Sequence, residues 1–355
     1  MATLQRVDIH NVRNLEHVTL EADANINLIC GANASGKTSF LEAIHVLTTG
    51  RSFRTHRLSK ILSYGQSTFT ISGQLGNTNR HQIGVELKDG RIRLRANGQV
   101  LKRTSELATL LTCIPVHQES YQILTHGPRY RRQFLDWAVF HVEQSYLPVW
   151  KRCQRALKQR NSALQLNPDT AGVWDQELTA ASSQLYDLRN NYFNELKQSL
   201  IAYCDELLPG IGLDAEFFPG WDLENGLAAT LKRNLPSDIQ AGYSRAGPHR
   251  ADLRLTVDKR PIQDVVSRGQ LKLAITAMMI AQAQVYRQRS GNNCILLIDD
   301  LDAELDDSKV GTLSSLVASL GIQVFISTTS THRLPFFLPE NKRMFHVKHG
   351  IIEMI

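Results

Sequence analysis

The chain has 355 residues, more than one ordinary core accommodates and enough for about two folding units. With 42% apolar and 21% charged residues, and no apolar run near the roughly 18 needed to span a bilayer, the composition excludes a membrane protein and points to a cytosolic globular one. A net charge of +6 leaves two readings open, a polyanionic partner such as nucleic acid or a solvated basic surface with no partner.

The first apolar stretch is interrupted by Arg6, Asp8, His10 and Arg13, which rules out a secretory signal core. Residues 25–30 read as a short strand running straight into a glycine. The string Gly31, Ala32, Asn33, Ala34, Ser35, Gly36, Lys37, Thr38 fits G-x-x-x-x-G-K-[ST], and Ser39 opens an amphipathic helix to Leu47. Strand, glycine-rich loop and helix are the setting in which backbone N–H groups turn inward on phosphates. There Lys37 reaches the β- and γ-phosphates, and the Thr38 hydroxyl ligates Mg²⁺. A bound ATP is the expectation.

Segments 68–75, 82–88 and 91–97 then read as antiparallel strands. From 111 to 236 the pattern changes to helix periods at 129–142, 147–166, 171–207 and 223–234, broken by Pro148, Pro168 and Pro209. This predicts a mostly helical lobe, 111–236, inserted into a head made of 1–110 and 237–355. Basic clusters suited to phosphate contact are Arg51, Arg54, Arg57 and Lys60, then Arg91, Arg93 and Arg95, then Lys151, Arg152, Arg155, Lys158 and Arg160. For Gly247-Pro248-His249-Arg250, a structural turn and a nucleotide- or DNA-linked role both stay open. The five cysteines are scattered, with no C-x-x-C pair, and read as reduced packing residues.

Ser267, Gly269 and Gln270 stand directly before the helical run 273–285, where a hydroxyl, free N–H groups and a positive dipole end suit a terminal phosphate. Downstream, Cys294 to Ile298 reads as a buried parallel strand ending in Asp299 and Asp300. Asp299 is assigned to Mg²⁺ and Asp300 to polarising the attacking water, with Lys37 and Ser267 completing the catalytic set. An acidic stretch, 301–306, follows. The tail 344–353 reads as a hairpin closing the edge of the head.

This order of phosphate loop, Ser-Gly helix and acidic strand resembles ABC-type ATPases. The resemblance implies an α/β fold, with a mainly parallel sheet, an antiparallel lobe and the helical insert. It also implies that Ser267 and Gly269 of one subunit close on the nucleotide of another, and that 301–306 crosses the dimer interface. Asp300 stands where many such ATPases carry glutamate, one methylene longer, so slow turnover is expected. The usual switch histidine is replaced by Thr328, with His332 out of register, and Gln118 is a candidate metal-sensing glutamine. The short insert, without heptads or a zinc motif, argues against an SMC or Rad50 protein.

The segments 9–15, 50–54, 127–136 and 247–253 are similar to blocks of the RecF family, so the resemblance covers essentially the whole chain. It implies an ATP-dependent DNA-binding protein of recombinational repair. Such a protein acts at single-strand gaps and duplex junctions and works with RecR and RecO to help load RecA. It forms an ATP-dependent homodimer and hydrolyses ATP slowly under DNA stimulation. Two other classes stay open, a nucleotide-gated structural protein without useful turnover and a motor subunit for a non-DNA partner.

Overall fold

Leu4, Val7 and Ile9 are fully buried, and the residues between them are half-buried or exposed, which makes Thr3–Val12 the first strand, β1. The computed structural model describes residues 3–76, 81–300, 305–329 and 342–355. Along the chain follow β2 (Leu15–Glu21), β3 (Ile26–Cys30), α1 (Lys37–Thr49), β4 (Thr68–Gly76), β5 (His81–Lys88), β6 (Arg91–Ala96) and β7 (Gln99–Leu101). Next come α2 (Thr104–Leu110), β8 (Thr112–Val116), α3 (Gln122–Thr125), α4 (Pro128–Val142), α5 (Tyr146–Leu166), α6 (Asp175–Leu207), β9 (Leu213–Phe218) and α7 (Gly226–Ala241). The last described elements are β10 (Asp252–Val257), β11 (Arg260–Pro261), α8 (Arg268–Ser290), β12 (Cys294–Ile298), α9 (Asp307–Ser319), β13 (Gln323–Thr328), β14 (Lys342–Lys348) and β15 (Ile351–Met354).

Two compact units result, Met1–Ser120 with Lys272–Ile355, and Tyr121–Leu271. The first contains a sheet of order β15-β14-β3-β13-β12-β8, in which all neighbours are parallel except β14 and β15. Strands β3, β12 and β13 are buried at every residue, as unbroken apolar runs in a parallel sheet require. The second sheet of this unit, β2-β1-β4-β5-β6-β7, is antiparallel throughout. Helix α1 is buried along most of its length and shares one apolar cluster with both sheets. Phe40, Leu41, Ile44 and Leu47 pack with Leu4, Val7 and Ile9 of one sheet and Phe325 of the other. The buried Gln323 side chain joins the sheets by polar contacts, its Nε2 donating to the Leu4 carbonyl and its Oε1 accepting from the Leu4 N–H, each at 2.8 Å.

The unit Tyr121–Leu271 contains α3 to α7 and a three-stranded sheet of order β11-β10-β9. Its limits differ from the expected 111–236. Residues 112–116 form β8 and pair with β12, so they belong to the head, whereas β10 pairs with β9 and carries 237–271 into the insert. Pro236 does not end its helix. It lies on an exposed turn of α7, where the carbonyl it leaves without an N–H partner can be hydrated.

Four basic residues assigned to phosphate contact are paired with carboxylates, Arg54 with Glu42 at 3.6 Å and Arg93 with Glu86 at 3.8 Å, and Arg160 and Arg152 more closely. Arg160 is fully buried, bonded to Asp175 at 2.6 Å and to Asp238 and Ser244 at 2.7 Å, because a buried guanidinium must be paired. Arg152 is held by Glu177 at 3.0 and 3.1 Å. Lys151, Arg155 and Lys158 are exposed.

Candidate functional site

The loop between β3 and α1 is shaped by two glycines. A side chain at Gly31 would run into the Val347 carbonyl, and Gly36 sits at φ 124°, a backbone that favours glycine. Ala34 also takes a left-handed conformation, φ 62°, within the same turn. Asn14 braces the loop from the β1–β2 turn, donating to the Ser35 carbonyl at 3.1 Å, and the Gly350 N–H donates to the same oxygen at 2.9 Å. Gly36 precedes α1 with no side-chain cap, and the first turn of α1 carries no acid. The leading N–H groups at Lys37, Thr38 and Ser39 therefore have no intrahelical acceptor and favour an anion. The Lys37 ammonium, 7% exposed, donates to the carbonyls of Gly31 and Ala32 at 2.8 and 2.9 Å.

Asp299 and Asp300 follow β12, whose neighbour β13 continues the path toward β3. The Thr38 hydroxyl lies 3.0 Å from each Asp299 carboxylate oxygen, donating a hydrogen bond shared between them. Ser327, at the end of β13, donates to Asp299 Oδ1 at 2.7 Å and accepts from the Asp300 N–H at 2.7 Å. Lys272 Nζ donates to the Asp300 carbonyl at 2.7 Å, and Asp300 itself is exposed with φ 53°. Burial raises the pKa of Asp299 above the ordinary carboxylate value. The Ser327 and Thr38 hydroxyls oppose that rise, the Asp300 charge adds to it, and Arg54 lowers it.

Phosphate-loop and acidic-strand residues are thus assembled within one unit. Gln118 follows β8, where Val116 pairs with Ile298 and accepts the Asp299 N–H at 2.8 Å, so its strand emerges beside the carboxylates. Thr328 is fully buried, and its carbonyl accepts from the Gly31 N–H at 3.3 Å. Ser267, Gly269 and Gln270 stand in the other unit, at the start of α8. There the Ser267 Oγ accepts from the Gln270 N–H at 3.3 Å, and Gln270 Oε1 accepts from the Ser267 N–H at 2.8 Å, a reciprocal helix cap. Residues 301–304 and His332 lie outside the described residues.

Sequence reading missed Ser327 and the meaning of Glu42. Glu42 is fully buried on α1, held by Arg13 through two 2.9 Å bonds, by the Ser52 hydroxyl, and by Arg54 at 3.6 Å. Arg13 and Ser52 sit in strings already conspicuous in the sequence, and a charged residue inside an otherwise apolar helix was the available signal. The turn at Gly247 to Arg250 is clamped within its own unit. Arg189 donates to the Pro248 carbonyl at 3.1 Å, Arg132 to the Ala251 carbonyl at 2.7 Å, and Arg131 pairs with Asp252 at 2.7 Å.

A magnesium nucleoside triphosphate fits these residues. The Ser35 hydroxyl is buried in the loop with no hydrogen-bond partner among the described residues, the kind of donor a phosphate oxygen satisfies. Thr38 and Asp299 offer the hard oxygen donors that suit Mg²⁺.

The RecF/RecN/SMC N terminal domain family matches residues 3–353. The DNA replication and repair protein RecF of Pseudomonas putida (strain W619) is 41% identical over 362 residues, covering 99% of this chain and 98% of that one. A solved structure of the recombination mediator protein RecF with ATP, in the RecFOR pathway, is 26% identical. It aligns over 100% of this chain and 98% of that chain with a TM-score of 0.83. The Smc head domain with an extended coiled coil, bound to the C-terminal domain of ScpA derived from Pyrococcus furiosus, has a TM-score of 0.64 at 15% identity. It covers 100% of this chain and 96% of that one, a likeness of fold alone. Sequence and architecture agree from end to end, and the chain belongs to the RecF family.

Proposed function

We propose that the chain is an ATP-dependent DNA-binding protein of recombinational repair. It acts at single-strand gaps and duplex junctions and works with RecR and RecO to help load RecA. The observation that carries this reading is the meeting of Thr38 with Asp299, separated by 261 residues yet 3.0 Å apart at their side-chain oxygens. The family's printed names, DNA replication and repair protein and recombination mediator, support the pathway.

In this reading the loop 31–38 and Ser39 bind the triphosphate of ATP through backbone N–H groups and the Lys37 ammonium. Thr38 and Asp299 would hold Mg²⁺, which when bound would supply neutralisation of the charge that develops on the phosphates. Asp300 orients the attacking water and accepts its proton, with Ser327 and Lys272 fixing the Asp300 backbone on either side. The shorter aspartate arm gives slow hydrolysis. Ser267, Gly269 and Gln270 of a second copy meet the terminal phosphate, so ATP drives homodimerisation and hydrolysis releases the dimer. Exposed Arg51, Arg57, Lys60, Arg91, Arg95, Lys151, Arg155 and Lys158 supply sequence-independent phosphate contacts. No described helix is long and apolar enough to cross a membrane.

The test measures dimerisation, phosphate release and DNA affinity at several salt concentrations, with gapped and with continuous duplex. The expected result is ATP-dependent preference for the gap and DNA-stimulated release. Dimerisation without phosphate release would leave a nucleotide-gated structural protein. Indifference to DNA in both affinity and hydrolysis would overturn the reading.

A further inference from the structure

His10 of β1 and His17 of β2 are register partners on adjacent antiparallel strands. Both are exposed, their rings lie 4.3 Å apart between centroids with 16° between planes, and neither ring is hydrogen-bonded to a described residue. Directly opposed residues hold their Cβ atoms about 4.5–5.5 Å apart. Two imidazoles at that spacing need only turn about their own axes to bring one nitrogen each to a shared ion at about 2.0–2.1 Å.

We propose that His10 and His17 form a cross-strand chelate for a divalent transition-metal ion of borderline softness, Ni²⁺, Cu²⁺ or Zn²⁺, with water completing the coordination. Imidazole selects these ions over Mg²⁺ and Ca²⁺, which demand oxygen donors. Asp8, on the same face of β1, is already committed. Arg6 holds it through bonds of 2.9 and 3.0 Å, and the Thr19 hydroxyl donates to it at 2.7 Å. Thr70, the β4 partner of His10, adds only a weakly ligating hydroxyl. The site therefore takes two protein ligands, remains open to solvent, and binds by chelation between strands.

Its consequence is mechanical. The two strands lead into the turn bearing Asn14, which holds the Ser35 carbonyl of the phosphate loop at 3.1 Å. An ion across His10 and His17 ties these strands together just before that turn, so it binds the folded chain in preference to the unfolded one and raises the melting temperature. The inference does not depend on nucleotide binding.

The test is calorimetric titration of the untagged full chain with Ni²⁺, in excess Mg²⁺ to occupy the carboxylates, alongside His10→Ala, His17→Ala and the double variant. The expected result is one strong equivalent in the parent and an affinity loss of at least about tenfold in either single variant, as large as in the double. Unchanged melting temperatures without metal show that the variants fold, and His10→Gln and His17→Gln serve where an alanine variant does not. Parent-like affinity in either single variant, or single losses that merely add up to the double, would overturn the chelate.

Discussion

The Thr38 hydroxyl is 3.0 Å from both carboxylate oxygens of Asp299, although 261 residues separate them. This bond occupies the donors that Mg²⁺ would use, and it keeps them within one ion's reach of each other. Removing either oxygen set should therefore weaken metal-dependent ATP affinity much more than metal-free affinity. Thr38→Val and Asp299→Asn should each show this split in fluorescent-nucleotide titrations with Mg²⁺ and with EDTA. Lys37→Met should abolish binding under both conditions, and parent-like affinity in that variant would remove the phosphate-loop assignment.

Asp300 is exposed while its backbone is gripped on both sides, by Ser327 at the N–H and Lys272 at the carbonyl, each at 2.7 Å. The backbone is thus fixed, and among the described residues no hydrogen bond holds the side chain. Asp300→Asn keeps the shape and removes the base, so ATP binding should persist, phosphate release should fall by about 10²–10⁴, and the dimer should dissociate more slowly. Faster dissociation than the parent would contradict the role. Ser327→Ala should lower kcat by roughly tenfold or more, with KM little changed, because it loosens the Asp299 carboxylate and the Asp300 backbone at once. A rise in KM alone would make Ser327 a binding residue.

The buried Arg160 has a different duty from its exposed neighbours on α5. Removing it leaves Asp238, which is also fully buried, as an uncompensated charge. Arg160→Ala should destabilise the protein by about 3–5 kcal/mol in urea unfolding. Lys158→Ala should leave stability within about 0.5 kcal/mol and reduce the salt dependence of DNA binding. A stable Arg160→Ala variant with lost DNA affinity would reverse these assignments.

These contrasts show what was legible in the chain. The phosphate loop was readable because one short string must carry every requirement: a glycine at φ 124°, close approach at Gly31, and Lys-Thr at the head of a helix. The acidic strand was readable only beside the phosphate loop, because an apolar strand ending in acids is commonplace by itself and gains meaning from a loop that needs a carboxylate partner. Ser327 was not readable. A serine closing an apolar strand has no local signature, and its importance comes from β13 lying beside β12. The lobe limits failed similarly, because residues 252–257 join the insert by pairing with 213–218 and through Asp252 to Arg131, contacts between distant segments. Arg160 looked like one more surface cation until Asp175 and Asp238 were brought onto it by folding.

His45, Phe53 and His117 form a ring cluster beside α1, with Phe53 stacked on His117 at 4.5 Å and edge-on to His45 at 5.4 Å. Burial lowers His45 to about 4, outweighing the opposing Arg51 carbonyl and Glu42 charge. Burial, with His45 nearby, lowers His117 to about 4 as well. An unfolded histidine titrates near 6.5, so between that pH and about 4 the unfolded chain binds protons that the folded chain refuses. Stability from this pair is then complete above pH 6.5 and falls progressively as the pH drops toward 4. Asp299, raised by burial, works in the opposite sense and offsets part of the loss. Both rings keep some exposed surface, which holds the effect to on the order of 1–2 kcal/mol for each. Urea unfolding at pH 7 and pH 5 should show the parent losing stability, and a His45→Gln, His117→Gln double variant should lose less over the same interval. An equal loss in parent and variant would place the acid sensitivity elsewhere, because the variant has no imidazole at either position to protonate.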